Sequence, residues 1–298
     1  MAVVGIVTGA NRGIGYAIVR KLAIEYPRKH PDRALIIYLT ARDVKRGEEA
    51  RVRLQMDKEL AAAKVLVKDG GWVEIRFHQL DVKDSNSRLR FVMNLLQAHE
   101  EIEFLVNNAG VYLDHPYFEP TREAIQETLH CNYYGTVHLS ICLLRLLSPT
   151  ARIVNLTTAQ ANFSLFSPVL ARRFLEARSV DDVTNLILEY CEAVARGTEQ
   201  EEGWPSSAYV VSKVGVIAMT GLLKWEEEVY RGWDALSCCP GWAGLDTIGG
   251  KGRTTPEEGA ELPVRLVVDG APAEMWDGAS LDGWESLLSG TQSYGSQT

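Results

Sequence analysis

Thr8-Gly9-Ala10-Asn11-Arg12-Gly13-Ile14-Gly15 is the stretch that decides how the rest of the chain folds. Ahead of it lies an apolar run, Ala2-Val3-Val4-Gly5-Ile6-Val7, which reads as a buried strand. Behind it, Tyr16-Ala17-Ile18-Val19-Arg20-Lys21-Leu22-Ala23 repeats its apolar residues at helical spacing. Strand, glycine turn and helix in that order form an anion site for mechanical reasons. Missing side chains let a phosphate approach the backbone, and the start of a helix presents N–H groups that lack intrahelical partners. Three glycines near a turn are often only a turn in a chain that has 25 of them. Their place between a buried strand and an amphipathic helix points instead to a pyrophosphate site. The spacing is Gly-x-x-x-Gly-x-Gly rather than the Gly-x-Gly-x-x-Gly of the general dinucleotide fingerprint.

Outward from this turn, strand and helix alternate. A second strand, Ala34-Leu35-Ile36-Ile37-Tyr38-Leu39-Thr40, ends at Ala41-Arg42-Asp43, and Asp43 caps a long charged helix expected to reach about Lys68. Gly70-Gly71 precedes a third strand over 72–80, which Asp81-Val82 closes, and a helix follows over about 84–99. A fourth strand over 102–106 leads into Asn107-Asn108-Ala109-Gly110, then come a helix over about 121–147 and a fifth strand over 152–157. Five alternations predict an α/β fold, a Rossmann-type doubly wound parallel sheet with helices on both faces. Over 161–205 the rhythm breaks into two helical patterns without a strand between them, either an inserted subdomain or a long lid. It resumes with a helix over about 207–230, a short strand over 235–239 and Pro240-Gly241. Pro256-Glu257-Glu258 then opens a further helix with proline at its first position. The expectation is a single domain over 1–298, with a helical insertion at 161–205 and a frayed polar tail at 290–298.

A net charge of −8 without a dense basic cluster argues against a nucleic-acid partner. No apolar run approaches membrane-spanning length, and the apolar start reads as a strand rather than a signal peptide. Five cysteines without metal-ligand spacing suit reduced thiols and a cytoplasmic protein. The six histidines form no metal-binding group, so no metal site is expected.

Open doubly wound sheets bind ligands outside the carboxyl ends of their strands, which selects 9–15, Arg42, Asp81, Asn108, Thr158 and Pro240 onward. Tyr209-Val210-Val211-Ser212-Lys213 puts a phenol and an ammonium four residues apart, on one helix face. A nearby positive charge favours phenolate and makes tyrosine usable as an acid near neutral pH. Alone, that spacing carries little weight in a chain with 11 tyrosines. After the second strand, where an NAD-binding carboxylate is usual, the sequence reads Thr40-Ala41-Arg42. Arg42 and Arg12 can together grip a 2′-phosphate through forked, charge-assisted hydrogen bonds, so the expected cofactor is NADPH/NADP+.

Taken together, Thr-Gly-x-x-x-Gly-x-Gly at 8–15, Asn-Asn-Ala-Gly at 107–110, Asn132, Tyr209-x-x-x-Lys213 and Pro240-Gly241 resemble the short-chain dehydrogenase/reductase family. The resemblance runs from Ala2 to about Pro263. Leu39-Thr40-Ala41-Arg42-Asp43, Cys238-Cys239-Pro240-Gly241-Trp242, Pro256-Glu257-Glu258-Gly259-Ala260 and the long insert make it most similar to the monomeric NADPH-dependent carbonyl reductases. The resemblance implies that Tyr209 protonates a carbonyl oxygen, while Lys213 binds the nicotinamide ribose and holds the phenol pKa down. It puts Thr158 in the place of the family's serine, with Thr157 as the alternative, and gives Asn132 the water of a proton relay. Gly9, Asn11, Arg12, Gly13, Ile14, Gly15, Arg42, Asp81, Val82, Asn108, Ala109, Gly110, Pro240 and Gly241 would frame the cofactor. Thr158, Tyr209 and Trp242 would meet the substrate, and Phe163, Phe166 and Tyr112 either wall its cleft or belong to the core. The insert implies a monomer, because it would cover the helices through which other members assemble.

One departure stands out: the family's Pro-Gly-x-x-x-Thr ends here in Leu245, with Thr247 two residues on. The function implied is reduction of ketones, aldehydes or quinones to alcohols. The alternatives are a pathway-specific keto-metabolite or steroid reductase, and a non-catalytic NADP(H)-binding sensor or scaffold.

Overall fold

The computed structural model describes residues 2–114, 121–230, 232–241 and 254–270, with 224–230 as helix backbone. In chain order the elements begin with β1 (Val3–Val7), α1 (Gly13–Lys29), β2 (Leu35–Ala41), α2 (Val44–Gln55) and α3 (Lys58–Ala62). Next come β3 (Val73–Gln79), α4 (Ser85–Ala98), β4 (Ile102–Asn107) and α5 (Arg122–Leu129). A π-helical turn (His130–Tyr134) joins α5 to α6 (Gly135–Leu143), and β5 (Leu147–Leu156) follows. The remainder is α7 (Pro168–Glu176), α8 (Val180–Arg196), α9 (Ala208–Tyr230), β6 (Asp234–Cys238), α10 (Pro256–Gly259) and α11 (Glu261–Asp269).

The six strands form one parallel sheet in the order β3-β2-β1-β4-β5-β6. Burial on both faces explains why the strands read as continuous apolar runs rather than alternating ones. One face packs against a core that includes Leu22, Leu54 and Val264, the other against one that includes Phe91, Leu139 and Ile187. The strand order reverses between β1 and β4, and a crevice opens at such a switch point beyond the carboxyl ends of the strands. The glycine turn and residues 108–110 lie there.

One expected helix end needs correction. The charged helix does not run to Lys68. It stops at Gln55, and Asp57 starts α3 by accepting from the N–H groups of Glu59 and Leu60 at 2.9 and 3.0 Å. The Asp57 carboxylate is also held by Arg20 Nε at 2.8 Å, so a tertiary ion pair fixes the break. Of the two readings left open for Phe163 and Phe166, the structure gives core. Both are buried and meet Phe174 edge-on or tilted, with Trp204 against Phe166 and Phe174. The insert is therefore a packed helical layer, and its α8 lies on α9, with the Thr184 hydroxyl 2.9 Å from that of Tyr133. Trp242, Leu245, Thr247 and the 290–298 tail fall outside the described residues.

Candidate active site

Helix α1 begins without a side-chain cap and without an acidic residue in its first turn. The other helices that start from loops are capped, by Asp43, Asp57, Asp84, Thr121, Ser167, Ser179, Ser207 and Thr255. The N–H groups at the start of α1 are thus the set left for a ligand, and the positive end of the helix favours an anion. Gly9 holds φ +62°, which only glycine adopts cheaply. At Gly15 the constraint is contact: a Cβ would lie 2.4 Å from Asn108 Nδ2 and 2.7 Å from the Gly9 carbonyl. Asn108 is what holds the turn, donating to the carbonyls of Thr8 at 2.8 Å and Gly9 at 3.1 Å. In return the Thr8 hydroxyl accepts from the N–H groups of Asn108 and Ala109.

A cleft of about 370 Å³ runs from this turn along the sheet edge. Gly9, Asn11, Arg12, Gly13, Ile14, Gly15, Arg42, Asp81, Val82, Asn108, Ala109 and Gly110 all line it. Asp43 lines it too, and one of its carboxylate oxygens accepts from Arg46 N–H at 2.8 Å as the cap of α2. Asp81 accepts from Lys83 N–H at 3.0 Å, and the cap of α4 is Asp84. Arg46 joins Arg12 and Arg42 on the wall. Sequence reading missed it, although it lies four residues after Arg42 on the first turn of α2. Arg53 was missed as well: it donates to the Asn11 carbonyl at 2.9 Å and covers the Tyr16 ring at 5.0 Å. An uncapped helix start, a glycine cradle and three arginines fit a dinucleotide carrying a 2′-phosphate.

Thr158, Tyr209, Lys213, Pro240 and Gly241 are not among the residues that line this cleft. A Cβ on Gly110 would be 3.2 Å from Asn132 Oδ1 and 3.7 Å from Lys213 Nζ, so nucleotide cleft and candidate catalytic residues meet there. Lys213 is buried and donates to the Leu156 carbonyl at 2.7 Å, at the end of the strand that leads to Thr158. Burial pushes its ammonium pKa down to about 8. Its Nζ lies 5.8 Å from the centre of the Tyr209 ring. The expected depression of the phenol is not what the structure gives. Burial pushes Tyr209 above the ordinary range, reinforced by Cys239, Tyr112 and Asp114.

The two threonines differ in exposure: Thr157 is buried, whereas Thr158 is half-buried and its hydroxyl accepts from Gln160 N–H at 3.3 Å. The same turn is pinned by Ala159 N–H on Cys239 Sγ at 3.1 Å. Asn132 is fully buried in the π turn, a distortion common at functional sites. Its Oδ1 accepts from Val111 N–H at 2.8 Å, and its Nδ2 donates to the Val111 carbonyl and to Ser212 Oγ. Both amide hydrogens are engaged, so a relay water at Asn132 would meet a carbonyl oxygen. Beneath the site runs a buried polar ladder. Asn107 Nδ2 donates to Ser140 Oγ and Asn155 Oδ1, Asn155 Nδ2 to Thr220, and Thr220 to the Val216 carbonyl.

This arrangement defines a dinucleotide-binding protein with a tyrosine–lysine pair beside its cleft. A family model described as enoyl-(acyl carrier protein) reductase matches residues 38–167. Carbonyl reductase [NADPH] 1 of Homo sapiens is 34% identical over 271 residues, covering 89% of this chain and 90% of the relative. Its Rattus norvegicus counterpart is 34% identical over 273 residues with the same coverage. Among solved structures, salutaridine reductase from Papaver somniferum superposes with a TM-score of 0.75 at 24% identity, over 93% of this chain and 98% of that one. The menthone neomenthol reductase of Mentha piperita gives 0.71 at 25% identity, over 93% and 97%. The chain belongs to the short-chain dehydrogenase/reductase family. Within that family, the relatives that it matches over nine tenths of its length include proteins named NADPH carbonyl reductases.

Proposed function

We propose that this chain is an NADPH-dependent carbonyl reductase, converting ketones, aldehydes or quinones to alcohols with Tyr209 as proton donor. The observation that carries this is the 34% identity over 89% of the chain with carbonyl reductase [NADPH] 1 of Macaca fascicularis. When bound, NADPH supplies the hydride that the carbonyl carbon accepts. Arg12, Arg42 and Arg46 would grip its 2′-phosphate, the uncapped start of α1 would hold its pyrophosphate, and Asp81 and Val82 would border the adenine. Lys213 would take the nicotinamide ribose hydroxyls, and Pro240 and Gly241 would help hold that end of the cofactor.

The Thr158 and Tyr209 hydroxyls hold the substrate oxygen, and Tyr209 passes its phenolic proton to that oxygen. A phenol pushed up by burial stays protonated at neutral pH, which suits a donor in the reducing direction. Lys213, with its pKa near 8, stays mostly charged there and reprotonates Tyr209 through water held at Asn132. The chain acts as a monomer in the cytoplasm. Support for the first comes from α8, which covers α5 and α9, and for the second from five cysteines that are all unpaired.

The test is NADPH oxidation by purified protein against a panel of quinones, aldehydes and ketones, with NADH alongside. The expected result is turnover that is lost in Tyr209→Phe and weaker with NADH by about tenfold or more. Tight NADPH binding without turnover of any carbonyl would refute it in favour of a non-catalytic binder.

A further inference from the structure

The segment after β4 is tied to α9 at two points, one before and one after the Tyr209 side chain. After it, Asn132 brackets Val111 with two hydrogen bonds and reaches Ser212 on α9 at 3.2 Å. Before it stands Asp114. Its Oδ2 accepts from the Ser207 hydroxyl and from the backbone N–H of Tyr209 at 3.4 Å. Ser207 is itself the cap of α9, its oxygen accepting from Val210 N–H at 3.0 Å. The first turn of α9 is thus completed by a carboxylate 95 residues away in sequence. Between the ties, the Tyr112 ring stands edge-on to the Tyr209 ring, with centroids 4.9 Å apart at 76°.

We propose that Asp114 is a positioning residue for the reaction: it fixes the first turn of α9, and with it the Tyr209 hydroxyl, against the loop that carries residues 108–110. This rests on Tyr209 being the proton donor. A carboxylate at the positive end of a helix is well placed electrostatically, which holds the contact closed without a bound ligand. The charged and titratable groups that face Tyr209 are Asp114 and Tyr112 from the β4 loop, Cys239 after β6, and Lys213 one turn along α9. The first three act in one direction, against phenolate, and Asp114 is the carboxylate among them. Its Oδ1 is buried with no hydrogen-bond partner among the described residues, so that charge is incompletely neutralised.

The experiment compares full-length wild type, Asp114→Asn, Asp114→Ala and Tyr209→Phe, with menadione as substrate, across pH. It reads kcat, KM and NADPH affinity. Asp114→Ala is expected to lower kcat by about tenfold or more, because misplacement of about 1 Å can cost about a hundredfold. NADPH affinity should stay within about twofold, since Asp114 does not line the nucleotide cleft. Asp114→Asn keeps an acceptor for Ser207 and Tyr209 N–H and should recover most of kcat. Its alkaline limb, where the phenol loses its proton, should move to lower pH because the opposing charge is gone.

An unshifted limb in Asp114→Asn, with kcat unchanged in both variants, overturns the proposal. Should the alanine variant fail to fold, the asparagine pH profile decides alone. Full activity in Tyr209→Phe would instead overturn the proton-donor assignment on which it rests.

Discussion

Replacing Gly15 with alanine tests the glycine turn where its geometry is tightest. The added methyl would sit 2.4 Å from Asn108 Nδ2, 2.7 Å from the Gly9 carbonyl and 2.9 Å from Ala10 Cα. Two of these neighbours are backbone, and the third is a side chain held by two hydrogen bonds, so the strain cannot be relieved by rotating a free group. Displacing Asn108 loses its bonds to Thr8 and Gly9, about 1 kcal/mol each, and overpacking adds about 1–3 kcal/mol. The sum is roughly 3–5 kcal/mol, or a fall in Tm of about 6–10 °C for a chain of this size.

The same displacement moves the carbonyls and N–H groups that frame the anion site, so NADPH affinity should fall by about a hundredfold or more. Differential scanning fluorimetry and titration of NADPH fluorescence read the two effects. Gly197→Ala is the control: Gly197 has φ +74° but nothing within 4 Å of its Cβ position, so that variant carries backbone strain without a clash. It should lose about 1 kcal/mol and no NADPH affinity. A Gly15→Ala protein with wild-type Tm and affinity would refute the close-approach argument.

Three further outcomes are expected. Arg42→Ala should weaken NADPH binding by roughly 10- to 100-fold, the value of one charge-assisted contact, and leave NADH nearly unchanged; equal loss for both cofactors would deny it the 2′-phosphate. Lys213 has a folded-state pKa near 8, below the 10.5 of the free side chain, so the unfolded chain binds more protons between those values and stability rises with pH there. Chemical denaturation of wild type and Lys213→Met should therefore show the variant's advantage shrinking by about 3 kcal/mol from pH 8 to 10.5, whereas a pH-independent gap would contradict the burial effect. Asn107→Leu leaves Asn155 Oδ1 and Ser140 Oγ without their donor and should lower Tm by about 5 °C or more, with unchanged Tm refuting the ladder.

Much of this fold can be read from local pattern because parallel strands buried on both faces leave long apolar runs. β1 and β2 emerge within a residue or two of their expected ends for that reason. The glycine turn is legible because its chemistry is local, with strand, turn and helix contiguous. What sequence reading could not supply is whatever depends on distant partners. The break before α3 rests on Asp57 meeting Arg20, 37 residues away. Asp114 looks like an ordinary loop acid until the fold brings it to Ser207. The tyrosine–lysine spacing located the pair, but burial, which opposes the lysine's effect on the phenol, is a property of the packed molecule. Phe163 and Phe166 have the same composition whether they wall a cleft or fill a core, and only their contacts with Phe174 and Trp204 separate the two.

The paired asparagines also bear on how the sheet finds its alignment. Two apolar strands in a parallel sheet can slide past one another by two residues and still present the same faces, so hydrophobicity alone distinguishes such alignments poorly. Asn107 stands directly opposite Asn155 in the pairing of β4 with β5. A two-residue slip would separate them and leave buried amide groups facing hydrocarbon, each at a cost of about 1–3 kcal/mol. The pair therefore works as a detent, admitting one alignment of β4 with β5. Because Asn155 continues to Thr220 on α9, the same detent sets the height at which the tyrosine-bearing helix sits against the sheet.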